Sequence, residues 1–129
     1  MIEYEIKAAL EALSGLNAYP LLLPDPEQEG VTYQRISDPR LETGMVVTSL
    51  VQARFQISYH VIDDYPRLLS LDKTVRDAWE PIAHGRIGRW PVQTVTRGGI
   101  SQNKQTLTNN RVQYRLTRDF IICYPEDAS

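Results

Sequence analysis

One cysteine in 129 residues leaves no intramolecular disulfide to form, so stability must come from packing. Cys123 lies in the apolar run 120–124 and is expected to be a small buried residue in a reducing compartment. No apolar run approaches the ~20 residues that span a bilayer, and Ile2, Glu3, Tyr4 and Glu5 lack the basic character of a signal peptide. A soluble cytoplasmic protein without a membrane partner is expected. No second cysteine or histidine stands at a metal-ligand spacing, no G-x-x-x-x-G-K loop is present, and no serine sits in a nucleophile elbow. Acidic residues are absent from 84–118, a stretch with seven basic ones.

What is present suits one domain, residues 1–129, long enough to bury about two-thirds of its unfolded surface without staples. The net charge of −2 is unevenly spread: residues 1–83 carry 7 basic and 13 acidic side chains, and residues 119–129 carry 3 acidic ones. Such polarity marks a surface for an acidic partner or complementary faces of a self-assembling protein.

The strongest pattern is residues 48–62. Val51, Ala53, Phe55, Ile57, Tyr59 and Val61 alternate with Gln52, Arg54, Gln56, Ser58 and His60, the period of a half-buried strand, here expected in the middle of the sheet. Ile2, Ile6, Ala9, Leu10 and Leu13 predict an amphipathic helix ending at Gly15. Residues 19–23, fenced by Pro20, Pro24 and Pro26, can form at most an edge strand or extended segment. Residues 31–37 predict a strand, and residues 38–47, opened by Asp38 and Pro39, a protruding hairpin loop. Asp63, Asp64, Tyr65 and Pro66 signal the start of a second helix. It is carried by Leu68, Leu71, Val75, Ala78, Trp79 and Ile82 to about residue 83, and stopped by Pro81 and Gly85. Residues 90–97 read as an edge strand or strand start, and residues 111–124 as a long strand whose apolar row is broken only by Arg118. Central placement or a bulge would accommodate that arginine. Residues 98–110 are polar, with Ile100 and Leu107 the sizeable apolar members, and predict a long mobile connection. The expected fold is α+β: an antiparallel or mixed sheet of about four strands, two helices and two long loops.

Chemistry-bearing constellations are weak. His60 with Asp63 and Asp64 reads as a solvated strand histidine beside a helix cap rather than a metal site, and His84 as a cation suited to a helix end. Arg97, Gly98 and Gly99 read more simply as a turn than as a single RNA-binding box. Arg111 and Arg115 share one strand face, but few aromatic residues accompany the basic group and the chain is acidic overall. A solvated sheet face is therefore preferred to a nucleic-acid interface. No catalytic, metal-binding or cofactor-binding residue is expected.

The order of elements resembles the tail terminator, or tail completion, proteins of long-tailed bacteriophages and prophages. The likeness is carried by the opening helix from Ile2 to Leu13, the proline-rich approach to the sheet, and Val31-Thr32-Tyr33-Gln34-Arg35-Ile36-Ser37. It continues in Ala53-Arg54-Phe55-Gln56-Ile57-Ser58-Tyr59, the helix over 64–83 and Tyr114-Arg115-Leu116-Thr117-Arg118-Asp119-Phe120-Ile121-Ile122, and so covers nearly the whole chain. The resemblance implies a homo-oligomeric, typically hexameric, ring that caps the tail tube, stops its polymerisation and offers a surface to neck or head connector proteins. Genomic DNA would only pass through the ring, and the protein would lie at the head-proximal end of the virion tail after assembly in the host cytoplasm. The family supplies no catalytic residues. Candidates for assembly contacts are therefore taken from the two loops and the basic stretch: Arg40, Met45, Arg97, Gly99, Ile100, Lys104, Leu107, Arg111 and Arg115. A neck or head–tail connector, and a small enzyme or nucleic-acid-binding domain, are the other readings of the same pattern.

Overall fold

Both helices form where apolar residues recur at intervals of three and four. In the computed structural model, which describes residues 1–41 and 49–126, helix α1 spans Ile2–Ser14 and buries Ile2, Ile6 and Leu10. It ends at Gly15 in the left-handed conformation, φ 73°, whose amide donates to the Glu11 carbonyl. A glycine meets that requirement without a Cβ penalty. Strand β1 (Ala18–Pro20) follows, then β2 (Gly30–Ser37), β3 (Leu50–Ile62) and helix α2 (Tyr65–Trp79). Helix α2 starts as expected: the Asp64 carboxylate accepts from the Arg67 amide at 3.1 Å, with proline in the first turn. Strands β4 (Ala83–Ile87), β5 (Trp90–Thr106) and β6 (Val112–Pro125) complete the described chain.

The six strands lie in the order β1-β2-β3-β6-β5-β4; β1 is parallel to β2 and every other pair is antiparallel, so the sheet is mixed. Strand β3 is central, between β2 and β6, as its alternation predicts. Its odd-numbered residues from Val51 to Val61 are buried on the face that the two helices cover. Phe55 packs near Tyr124, with ring centroids 6.5 Å apart, and Trp79 meets Phe120 edge-on at 5.2 Å. This helix-covered face is the core. The opposite face carries Gln34, Gln56, Ser58, Thr117 and Arg115 and stays partly or fully open to solvent.

Several expectations need correction. Among the described residues there are six strands, not about four: the proline-fenced segment contributes β1 at the edge, and β4 forms where the end of α2 was expected. Helix α2 stops at Trp79, with Glu80 as its cap. Pro81 ends it, and the chain returns through a two-residue turn at Gly88 (φ 59°) and Arg89, which pairs Ile87 with Trp90. His84 consequently belongs to β4 and not to a helix end. The long connection at 98–110 is mostly strand: β5 runs to Thr106, and only residues 107–111 turn. A polar composition cannot make a core, but a two-stranded ribbon needs none where backbone hydrogen bonds to β6 and solvent satisfy its groups. The protruding loop expected at 38–47 falls mainly on residues outside those described. Its first part turns back along β3, with the Leu41 amide donating to the Leu50 carbonyl and Arg40 bridging Val51.

Candidate functional site

Beyond Thr94, where β4 stops pairing, the outer edge of β5 has no strand beside it among the described residues. Its inner edge stays paired with β6 as far as Thr106 opposite Val112. The β5–β6 ribbon therefore projects past β4 with one row of backbone donors and acceptors unused, the arrangement that templates pairing with a further strand. A register shift between Arg97 and Ile100 marks its base. Gly98 is required there: a Cβ would lie 2.9 Å from the Asp119 Cβ and 3.2 Å from its carbonyl oxygen. Gly99 meets no such obstacle, so it is free to carry a side chain.

The ribbon gathers most of the sequence candidates. Ile100 is 50% exposed, and the Lys104 ammonium forms no hydrogen bond or ion pair among the described residues. Leu107 is half-buried at the turn, where its amide donates to the Arg111 carbonyl. Arg97 is paired with Glu80 at 3.0 Å. Arg111, another of the candidates, has its guanidinium held by Asp63 at 3.0 Å within the same chain. The Asp63 carboxylate also accepts from the Val112 amide, and that bond, ahead of the arginine, holds its pKa below the usual value. Arg115 lies on the open sheet face between His60 and Asn103. Arg40 sits away from this group, beside the start of β3, and Met45 lies outside the described residues.

On the open face, aligned rows of polar side chains cross the sheet. Thr32, Ser58, Thr117 and Ser101 stand in register, with the Ser58 and Thr117 hydroxyls 2.9 Å apart. One row along, Gly30, His60, Arg115 and Asn103 are aligned, and a concavity of about 370 Å³ opens among His60, Asn103, Gln105, Gln113 and Arg115. His60 is not the solvated histidine expected from alternation. It is 9% exposed, bonded through Nε2 to the Thr32 hydroxyl at 3.2 Å, and shares a cleft with Leu23, Asp25, Glu27 and Leu107. Burial, helped by the nearby Arg115 charge, pushes its pKa down to about 4. Asp119 is held by the Arg54 guanidinium, whose Nε donates at 3.0 Å, and by the Gln56 amide at 3.4 Å.

Beneath the sheet lies a charged group that sequence reasoning did not assemble. Arg118 donates to both Asp72 carboxylate oxygens, at 3.1 and 2.9 Å, and Arg76 donates to the same carboxylate at 2.9 Å. The Tyr59 hydroxyl, raised well above its ordinary pKa by burial and then by Asp72, is buried nearby without a hydrogen-bond partner among the described residues. Two signals pointed to this group: Arg118 breaks an apolar strand row, and Asp72 interrupts the apolar stripe of α2. Of the two accommodations expected for Arg118, central placement holds, completed by a helix-borne carboxylate; the register shift beside it belongs to β5.

These groups do not converge on one point in space. Asp64 caps α2, Asp63 holds the β5–β6 turn, and His60 faces Thr32, so the three share no common focus. What the arrangement offers chemically is an unpaired strand edge flanked by exposed Ile100 and Lys104. Comparison of the chain with protein-family models and with curated proteins found no match.

Proposed function

We propose that the protein is a structural subunit of a bacteriophage tail, a tail terminator that closes into a hexameric ring on the completed tail tube. In this reading the ring ends addition of tube subunits and presents its outer surface to neck or head connector proteins. DNA passes through without being bound as a substrate, no catalysis is assigned, and the subunit resides at the head-proximal end of the virion. The observation that carries the reading is the open outer edge of β5, a surface suited to joining another strand rather than to performing a reaction. The resemblance in element order supports the particular assembly. A mixed sheet covered by helices on one face also leaves much of its second face and its open strand edges available for contacts.

The test is assembly itself. Light scattering at micromolar concentration and moderate salt is expected to give a multiple of 14.8 kDa, either for the free protein or after addition of tail tubes. Electron microscopy of tails assembled without the protein is expected to show irregular lengths, and normal lengths when it is supplied. A strict monomer that leaves tail tubes unchanged refutes the reading, and a density found only in the neck, away from the tube end, assigns it to the connector instead.

A further inference from the structure

Resting on the reading that copies of this chain contact one another, we infer how they do so. The outer edge of β5 in one copy pairs with the β1–β2 edge of the next, and Leu21 and Leu22 seat beside Ile100. Both edges of the sheet are incomplete. Strand β1 covers only the first part of β2, from Val31 to Tyr33, and residues 34–37 have no outer neighbour among the described residues. The opposite edge is the free flank of β5. One open edge is thus available to meet another of the same chain, and the two are different surfaces at opposite ends of one sheet. A head-to-tail joint of this kind repeats and closes into a ring when the rotation permits.

The β1–β2 edge carries an unusual backbone. Leu21 has φ 71°, and the Leu22 amide donates to the Pro20 carbonyl at 2.9 Å, which makes Leu21 the centre of a strained three-residue turn. A leucine in the left-handed region is costly and persists only where its surroundings hold it; here the Leu21 amide donates to Tyr33 at 3.0 Å. The turn presents Leu21 and Leu22 at 65% and 71% exposure. At the far edge Ile100 is exposed on β5, as are Tyr65 and, one turn later on α2, Leu69; the Tyr65 hydroxyl donates to Gln102, two residues beyond Ile100, at 2.5 Å. A strand pair alone would bury less than the ~1,200 Å² of a stable interface, so the leucines against Ile100 supply the remaining contact.

Charge favours the same pairing. Residues 1–31, which form α1, β1 and the start of β2, hold 6 acidic side chains and 1 basic one; residues 84–118, on the other half of the sheet, hold 7 basic and none acidic. Several of these are spent within the chain. Lys104 on β5 remains without an ion pair among the described residues, as do Asp25 and Glu27, which follow β1 and line the His60 cleft. Opposite edges of opposite sign attract in head-to-tail order and repel in head-to-head order.

The experiment uses two single-cysteine variants of the full chain, L22C and I100C, with native Cys123 buried at 6% exposure as an internal background. Mild oxidation of the mixture is expected to give a disulfide-linked dimer that neither variant gives alone. The double variant I100K/Q102K and the variant L22D, all at exposed positions, are expected to sediment as folded monomers with circular dichroism and melting curves like the parent. A parent that assembles while the mixture fails to cross-link, or I100C cross-linking to itself, overturns the edge-to-edge joint and leaves the ring reading intact. I100K/Q102K and L22D assembling like the parent overturn the joint as well. A parent that stays monomeric even with tail tubes removes the ring reading and this inference with it.

Discussion

His60 carries the clearest pH dependence at the scale of single residues. An unfolded histidine titrates near 6.5, whereas here burial first and Arg115 second hold the folded value at about 4. The fold therefore retains a neutral ring, and its contribution is complete above the unfolded pKa and lost as pH falls from about 6.5 through 4. Asp25 and Glu27 line the same cleft without reversing the direction. Chemical denaturation from pH 7 to pH 4 is expected to show a loss of about 2–3 kcal/mol, much of which the His60→Asn variant should not show. On β3, Phe55→Ala should cost about 3–5 kcal/mol, because its ring is fully buried against the core. Gln56→Ala, on the opposite row, loses only a long contact to Asp119 and should cost under about 1 kcal/mol by urea denaturation. Alternation placed Phe55 in the core and Gln56 on the opposite face, as the structure has them. It misplaced His60, because the chain from Leu23 to Gln28 covers part of the polar face, and a period of two cannot register a loop arriving from elsewhere.

The β5–β6 ribbon and the α2–β6 contact show how elements depend on one another. Replacing residues 99–109 with a short turn would leave a loop protein unharmed, but here it removes the outer half of β5 and exposes the paired edge of β6. The shortened protein is expected to melt several degrees lower, about 4 °C for each kcal/mol lost near the midpoint in a domain of this size. Helix α2 is tied to β6 through Asp72 and Arg118. Asp72→Leu leaves the buried Arg118 guanidinium without its carboxylate partner and should cost about 3–5 kcal/mol, while adding Arg118→Met should recover most of that loss. A double-mutant cycle checks it. Helix starts were legible because Asp64 and Pro66 act locally, as was the glycine that ends α1. Strand β4 was not, since its residues are mostly exposed and its identity depends on pairing with β5. Gly88 in a two-residue turn was the local signal that could have revealed it.

For the molecule as a whole, the separation of charge along the chain becomes a separation across the sheet, because β1 and β2 lie at one edge and β5 and β4 at the other. Assembly driven by such opposed edges is expected to weaken with ionic strength. Sedimentation between about 0.1 and 1 M salt, where the screening length falls from roughly 10 to 3 Å, should show smaller species at the high end. Assembly unaffected by salt would mean that apolar contacts at Leu21, Leu22 and Ile100 dominate.

The amino-acid sequence by itself determined the class of the fold, both helices, the central position of β3 and the apolar faces of β3 and β6. Each of these depends on periodicity or on caps within a few residues. Only the tertiary structure decided that Arg118 meets Asp72, that His60 is enclosed, and that the polar segment after Gly99 is strand rather than loop. It alone also left β5 with an open flank. Those outcomes depend on which strands become neighbours, and pairing between residues far apart in sequence is settled by the register and packing of the whole sheet rather than by any local pattern.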